Sequence, residues 1–166
     1  KGRESAEWLR QNLRSTRNFI RKWGHFVKHD EYLKPIVPPK YDVGFVAYNC
    51  NKELLNELEP WCSKIYLDYG SIGKYAHDYK KNEQPDTQFD LDERIWMYGD
   101  SKPTDLKHGV VVEFDCNKLT PQNFQILVNL SEILQESGEV GVMELEIFKF
   151  HINSLKTHEK DLILVK

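Results

Sequence analysis

The sequence predicts an α/β domain: a mixed sheet with a βαβ start, helices on its faces, an antiparallel C-terminal ribbon and an extended basic amphipathic N-terminal helix. Three observations point there. Short apolar runs at residues 42–48, 64–68 and 109–115 have the texture of buried strands. A stretch with leucines on one face, residues 52–61, separates the first two runs, and strand, helix and strand within about thirty residues require a parallel pairing. Ahead of them, Leu9, Leu13, Ile20, Trp23 and Val27 recur at helical steps.

The elements follow in order. A helix is expected over residues 5–28, its apolar stripe widened by Trp8, Phe19 and Phe26. Arg10, Arg14, Arg17, Arg21 and Lys28 share an adjacent face, and Gly24 weakens the last turn. Three prolines among residues 32–40 then read as an extended surface linker. This divides the chain into residues 1–40, helix and Pro-rich linker, and residues 41–166, the α/β domain. Past the second strand, a polar helix over 72–81, an acidic turn-rich stretch over 82–93 and a strand over 94–98 are expected. Thr120 caps a helix with Pro121 at its first position, and that helix runs to about residue 136, before Gly138. Residues 142–153 and 162–165 are strand-like and form the expected ribbon.

The totals narrow the class. With 40% apolar and 30% charged residues the chain is globular rather than disordered. No apolar run has the roughly 18 to 20 residues of a membrane span. The three cysteines, Cys50, Cys62 and Cys116, form no CxxC pattern, which favours reduced thiols and a cytoplasmic setting over a disulfide framework or a cysteine zinc site. The chain begins at Lys1 rather than Met, as in a processed product or a piece of something longer. Its net charge of −3 divides into +6 on residues 1–40 and −9 on the rest. A basic arm on an acidic body suits a helix that docks on its own body, on a protein partner or on an anionic membrane surface. Nucleic acid is not expected, because no further basic or aromatic platform accompanies the arm.

Candidate chemistry sits where strands end. Tyr48-Asn49, Asp68-Tyr69-Gly70-Ser71 and Asp115-Cys116-Asn117 each follow a predicted strand. In an open α/β sheet, ligands bind outside the carboxyl ends of strands, so parallel neighbours would bring these clusters to one rim. The plainer reading is that Asn, Asp and Gly simply end strands and start helices.

This order of motifs, with Lys118-Leu119-Thr120-Pro121 after the last, resembles the nucleotide-sugar glycosyltransferases of the GT-A fold over roughly residues 41–135. That family ends its first strand near a Tyr-Asn pair, its second in Asp-Asp-Gly-Ser, and a later one in an Asp-x-Asp metal motif ahead of a Leu-Thr-Pro helix start. The resemblance implies that Tyr48 and Asn49 border a nucleotide, that Asp68 accepts from its base or ribose with Ser71 alongside, and that Asp115 and Asn117 occupy the metal position. It further implies Mn or Mg as cofactor and a nucleotide-sugar as ligand. Asn117 stands where the family has a second Asp, and Asp-Tyr-Gly-Ser replaces Asp-Asp-Gly-Ser. Little chain follows residue 136 to supply an acceptor site, so a catalytic and a vestigial domain are both compatible with these residues.

Two other features carry weaker chemistry. His25 and His29, four apart, could share a metal, although a solvated or stacking role fits better. Cys116 has only Lys118 nearby to activate it and reads as a small buried residue. The alternative to a glycosyltransferase-like domain is a non-catalytic structural or interaction domain, tethered to a larger assembly by its N-terminal helix.

Overall fold

The computed structural model describes residues 2–155 except Val27, Asp30, Val37, Pro38, Asp100, Lys102, Thr104 and Asp105, and only the backbone of 2–5, 28–29 and 35–36. The chain is mixed α/β. Helix α1 (Gly2–Trp23) leads to a two-residue antiparallel ladder, β1 (Lys28–His29) with β2 (Pro35–Ile36). There follow β3 (Val43–Tyr48), α2 (Lys52–Leu58) with a 3-10 turn (Glu59–Trp61), β4 (Lys64–Asp68), α3 (Tyr69–Ile72), α4 (Tyr75–Glu83), α5 (Leu91–Arg94) and β5 (Ile95–Tyr98). The last part holds β6 (Val110–Asp115), α6 (Pro121–Val128), α7 (Leu130–Ser137), β7 (Gly141–Leu145) and β8 (Phe148–Ile152).

The six long strands lie in the order β5-β4-β3-β6-β8-β7. Strands β5, β4, β3 and β6 are mutually parallel, with Val46 opposite Tyr66 and Glu113, and β8 and β7 add antiparallel. The chain therefore builds outward from β3 through β4 to β5, then crosses back to place β6 on the other side of β3. Between β3 and β6 the direction of winding reverses, the position where open α/β sheets form a ligand crevice.

The pleat explains which side is core. Val43, Phe45 and Ala47 alternate onto one face with Ile65, Leu67, Val110, Val112 and Phe114, and the helices' Leu55, Leu58, Leu127 and Leu134 bury against them. The opposite face holds a smaller group, Val46, Tyr66, Tyr98 and Val111, partly roofed by Leu106. Among the described residues the buried helical side chains thus lie on one face, where helices on both faces were expected. Gly44 belongs to the second face because the His108 ring lies against it: a β-carbon there would stand 2.5 Å from His108 Cδ2. That ring is held from both ends, its Nδ1 2.9 Å from Asp42 Oδ1 and its Nε2 2.8 Å from the Tyr66 hydroxyl.

Several boundaries differ from the expectation, each for a local reason. Helix α1 stops at Trp23, five residues early, because Gly24 adopts φ +82° and returns its N–H to the Ile20 carbonyl at 2.7 Å. The helix expected over 120–136 is two, divided at Asn129 (φ −103°, ψ 20°). The ribbon forms within 141–152, where Glu146 at φ +54° turns β7 into β8; the strand expected at 162–165 lies outside the described residues. The acidic stretch 82–93 is partly ordered by Gln84, whose side chain donates to the Phe89 carbonyl at 2.7 Å and accepts from the Leu91 N–H at 2.9 Å.

Helix α1 docks through its arginines. Arg21, 2% exposed, meets the buried Glu59 carboxylate at 2.5 Å and Glu83 at 2.6 Å, while Arg17 reaches Glu83 at 2.9 Å. Arg94 completes the cluster from α5, 2.8 Å from Glu59, and the Tyr79 hydroxyl donates to Glu59 at 2.9 Å. Burial would push the Glu59 carboxyl up, but the Arg21 hydrogen bond and the charges of Arg94 and Arg21 outweigh it and hold it below the ordinary carboxylate range. Ile20 joins the main core, whereas Trp8, Leu9 and Leu13, on the helix's N-terminal half, are exposed.

Candidate functional site

Strands β3, β4 and β6 end side by side, and their polar termini form one hydrogen-bonded group. Asn49 is its centre. Just past β3 it adopts φ +57°, a left-handed conformation that asparagine tolerates better than most residues. There its main-chain N–H donates to Asp68 Oδ1 at 3.1 Å, and its side-chain amide donates to Asp115 Oδ1 at 3.0 Å. Ser71, on α3, donates to the other oxygen of Asp68. The Asn117 N–H donates to Asp115 Oδ1 at 2.9 Å, so Asp115 also caps the turn that follows β6.

Of the six residues singled out in the sequence, Asn49, Asp68, Ser71 and Asp115 thus touch in one network, and Asn117 enters it through its backbone while its side chain is exposed. Tyr48 borders them but turns onto the open sheet face, where its hydroxyl donates to Glu113. Burial, then the hydrogen bond with Glu113, pushes the Tyr48 phenol well above its usual range. The Asp115 carboxyl is held below the ordinary range by the Asn49 amide first and the Asn117 N–H second, so it is ionised at neutral pH. The rim therefore presents anionic oxygens framed by amide donors.

Beneath the rim lie two buried thiols, Cys50 and Cys116. A hydrogen bond with Cys116 and burial push the Cys50 thiol up, so Cys50 lacks the character of a nucleophile. The His25 and His29 pair cannot be placed, because the His29 side chain lies outside the described residues. Among the described residues no three His, Cys, Asp or Glu side chains are grouped to hold a metal ion.

Sequence reasoning missed a neighbour of the rim. Glu113 lies two residues before Asp115 on β6, hence on the same face, and it accepts from Tyr48 while His151 Nε2 stands 3.3 Å from its other oxygen. The period of two could have nominated Glu113. Nothing local could have nominated His151, which arrives through the antiparallel pairing of β8 with β6. Carboxylate, imidazole and phenol in one line are the groups that proton transfer uses.

A cleft lined by Arg21, Lys40, Trp61, Ser63 and Leu130 lies at the opposite, amino ends of β3 and β4, where α1 packs. It belongs to that packing rather than to the rim. No helix among the described residues is long and apolar enough to cross a membrane. In comparisons with known proteins, no family model, no curated protein and no solved structure matches this chain.

Proposed function

We propose that the rim formed by Asn49, Asp68, Ser71 and Asp115 binds the nucleotide part of a nucleotide-sugar, as in a glycosyltransferase-like domain, catalytic or vestigial. One observation carries the reading. Asn49 joins Asp68 and Asp115 across the carboxyl ends of three parallel strands, at the point where the winding of the sheet reverses. Asp68 is then placed to accept from ribose hydroxyls or a base N–H, with Ser71 and Tyr48 at its sides. Asp115 faces the diphosphate.

The donor set limits how a metal could take part. Asp115 offers one ionised carboxylate and Asn117 a neutral amide, too little for a protein-only cage. It is enough for a hard divalent cation held chiefly by phosphate oxygens, which needs only one or two protein carboxylates. When bound, such an ion neutralises the charge of a departing diphosphate. The chain's own contribution is to hold Asp115 deprotonated and oriented through Asn49 and the Asn117 N–H.

The test is calorimetric titration of the chain with UDP and GDP, each with and without Mn²⁺. The expected result is nucleotide binding strengthened by the ion, no uptake of the ion alone, and loss of the ion's effect in Asp115→Ala. Absence of heat with either nucleotide under all conditions would end this reading.

A second reading keeps the fold and drops the ligand: a structural or interaction domain. The exposed Trp8, Leu9 and Leu13 stripe favours it, since the arginines that anchor α1 leave that stripe facing solvent. Light scattering of the whole chain beside one lacking residues 1–15 separates the readings: assembly lost on truncation supports it, and identical monomers count against it.

A further inference from the structure

Strand β7 is the outermost strand of the sheet. It pairs with β8 on one side, and among the described residues no strand pairs with its other side. Alternate residues of an antiparallel strand turn their N–H and C=O away from the partner, so the outer edge of β7 offers donors and acceptors in strand register. Natural edges are commonly blunted by proline, lysine or a bulge. Gly-Val-Met-Glu-Leu contains neither residue, and its register against β8 runs unbroken from Gly141 opposite Ile152 to Leu145 opposite Phe148. Apolar side chains line the same edge: Val140 is 67% and Val142 64% exposed.

Charge selects the occupant. Residues 136–146 carry four exposed glutamates, Glu136, Glu139, Glu144 and Glu146, and no Lys or Arg; on the inner side, Lys149 of β8 stands opposite Glu144. A second copy pairing edge to edge would bring two such acidic segments together, and like charges near one another destabilise a ladder. An incoming strand with lysines or arginines between apolar residues meets the opposite situation. Its backbone completes the ladder, its apolar side chains cover Val140 and Val142, and its cations face the glutamates.

We propose that β7 is a docking edge for an extended basic segment of another protein, which adds to the sheet as a further strand. The interaction is independent of the rim. Glu144 and Val142 select for charge and apolar contact, and the outer backbone edge, unpaired among the described residues, supplies affinity.

The experiment uses the whole ¹⁵N-labelled chain and a capped peptide of about eight residues alternating valine and lysine. Binding is expected to shift the amide resonances of residues 140–146 and to slow hydrogen exchange of the outward amides of β7. Two changes should each weaken it roughly tenfold or more: N-methylation of alternate peptide residues, which removes the ladder donors, and Val142→Lys with Glu144→Lys in the chain. Both replaced side chains are exposed, and should that variant not fold, the N-methylated peptide decides the matter on the unaltered chain. No shift in β7 at millimolar peptide would overturn the proposal. So would equal affinity for the N-methylated peptide, which reveals charge attraction alone, or a chain that already dimerises through β7 and dissociates on Val142→Lys.

Discussion

The side-chain amide of Asn49 donates to Asp115 Oδ1 at 3.0 Å, joining two residues that are 66 positions apart in the chain. That bond is the main reason the Asp115 carboxyl stays below its ordinary range. Replacing Asn49 by glycine preserves the left-handed backbone at no steric cost and removes only the amide. In Asn49→Gly the Asp115 carboxyl should therefore titrate at higher pH than in the unaltered chain, followed by carbon-detected NMR of the carboxyl. An unchanged titration would transfer the effect to the Asn117 N–H.

Glu59 is the hub through which α1 is held. Its carboxylate meets Arg21 and Arg94 with no solvent access, and Glu59→Gln removes the counter-charge they share, leaving Arg21 with Glu83 only. Breaking a buried pair in this way costs about 3–5 kcal/mol. Urea unfolding should show a loss of that order; a loss under about 1 kcal/mol would mean that Glu83 alone suffices to anchor Arg21.

The same group sets an acid limit. The folded Glu59 carboxyl lies below its unfolded value, near 4.3, so its stabilisation is complete above that value. It is lost progressively as pH falls from about 4.3 through the lower folded value. Urea midpoints measured from pH 6 downward should fall in this window, and the fall should be shallower in Glu59→Gln, where no proton is taken up at the site. Parallel curves would assign acid sensitivity to other carboxylates.

Gly44 and His108 are expected to be coupled. A β-carbon at 44 would lie 2.5 Å from His108 Cδ2, so Gly44→Ala should destabilise by about 1–3 kcal/mol. With His108→Ala as background the ring is gone, and the cost of Gly44→Ala should largely vanish. A double-mutant cycle on unfolding free energies checks this, and additive losses would show that the close approach is relieved elsewhere.

Residues 6–15 of α1 are exposed along their whole length. Removing residues 1–15 should change the unfolding free energy by no more than about 0.5 kcal/mol, because Arg17, Ile20 and Arg21 remain. A larger loss on urea unfolding would show that the exposed half packs on the body in solution.

Much of the local structure was readable in advance. The runs at 43–48, 64–68 and 110–115 became β3, β4 and β6 because valine, isoleucine and aromatic residues in short blocks suit a pleated, buried strand. Thr120 caps α6 as expected, accepting from the Asn123 N–H at 3.1 Å. The convergence of Asn49, Asp68 and Asp115 could be anticipated once those strands were taken as parallel neighbours.

The sequence by itself determined the strands β3, β4 and β6, the capped start of α6 and the polar residues that end those strands, since these follow from short-range periodicity and capping. Only the tertiary structure decided that Arg17 and Arg21 of α1 turn inward while Arg10 and Arg14 stay exposed, that the helices gather on one side of the sheet, and that His151 meets Glu113 beside the rim. Periodicity tells that a residue is buried, but not against what. Arg21 and Glu59, or Glu113 and His151, are each 38 positions apart, and only the packed sheet and the helices lying on it bring such pairs together.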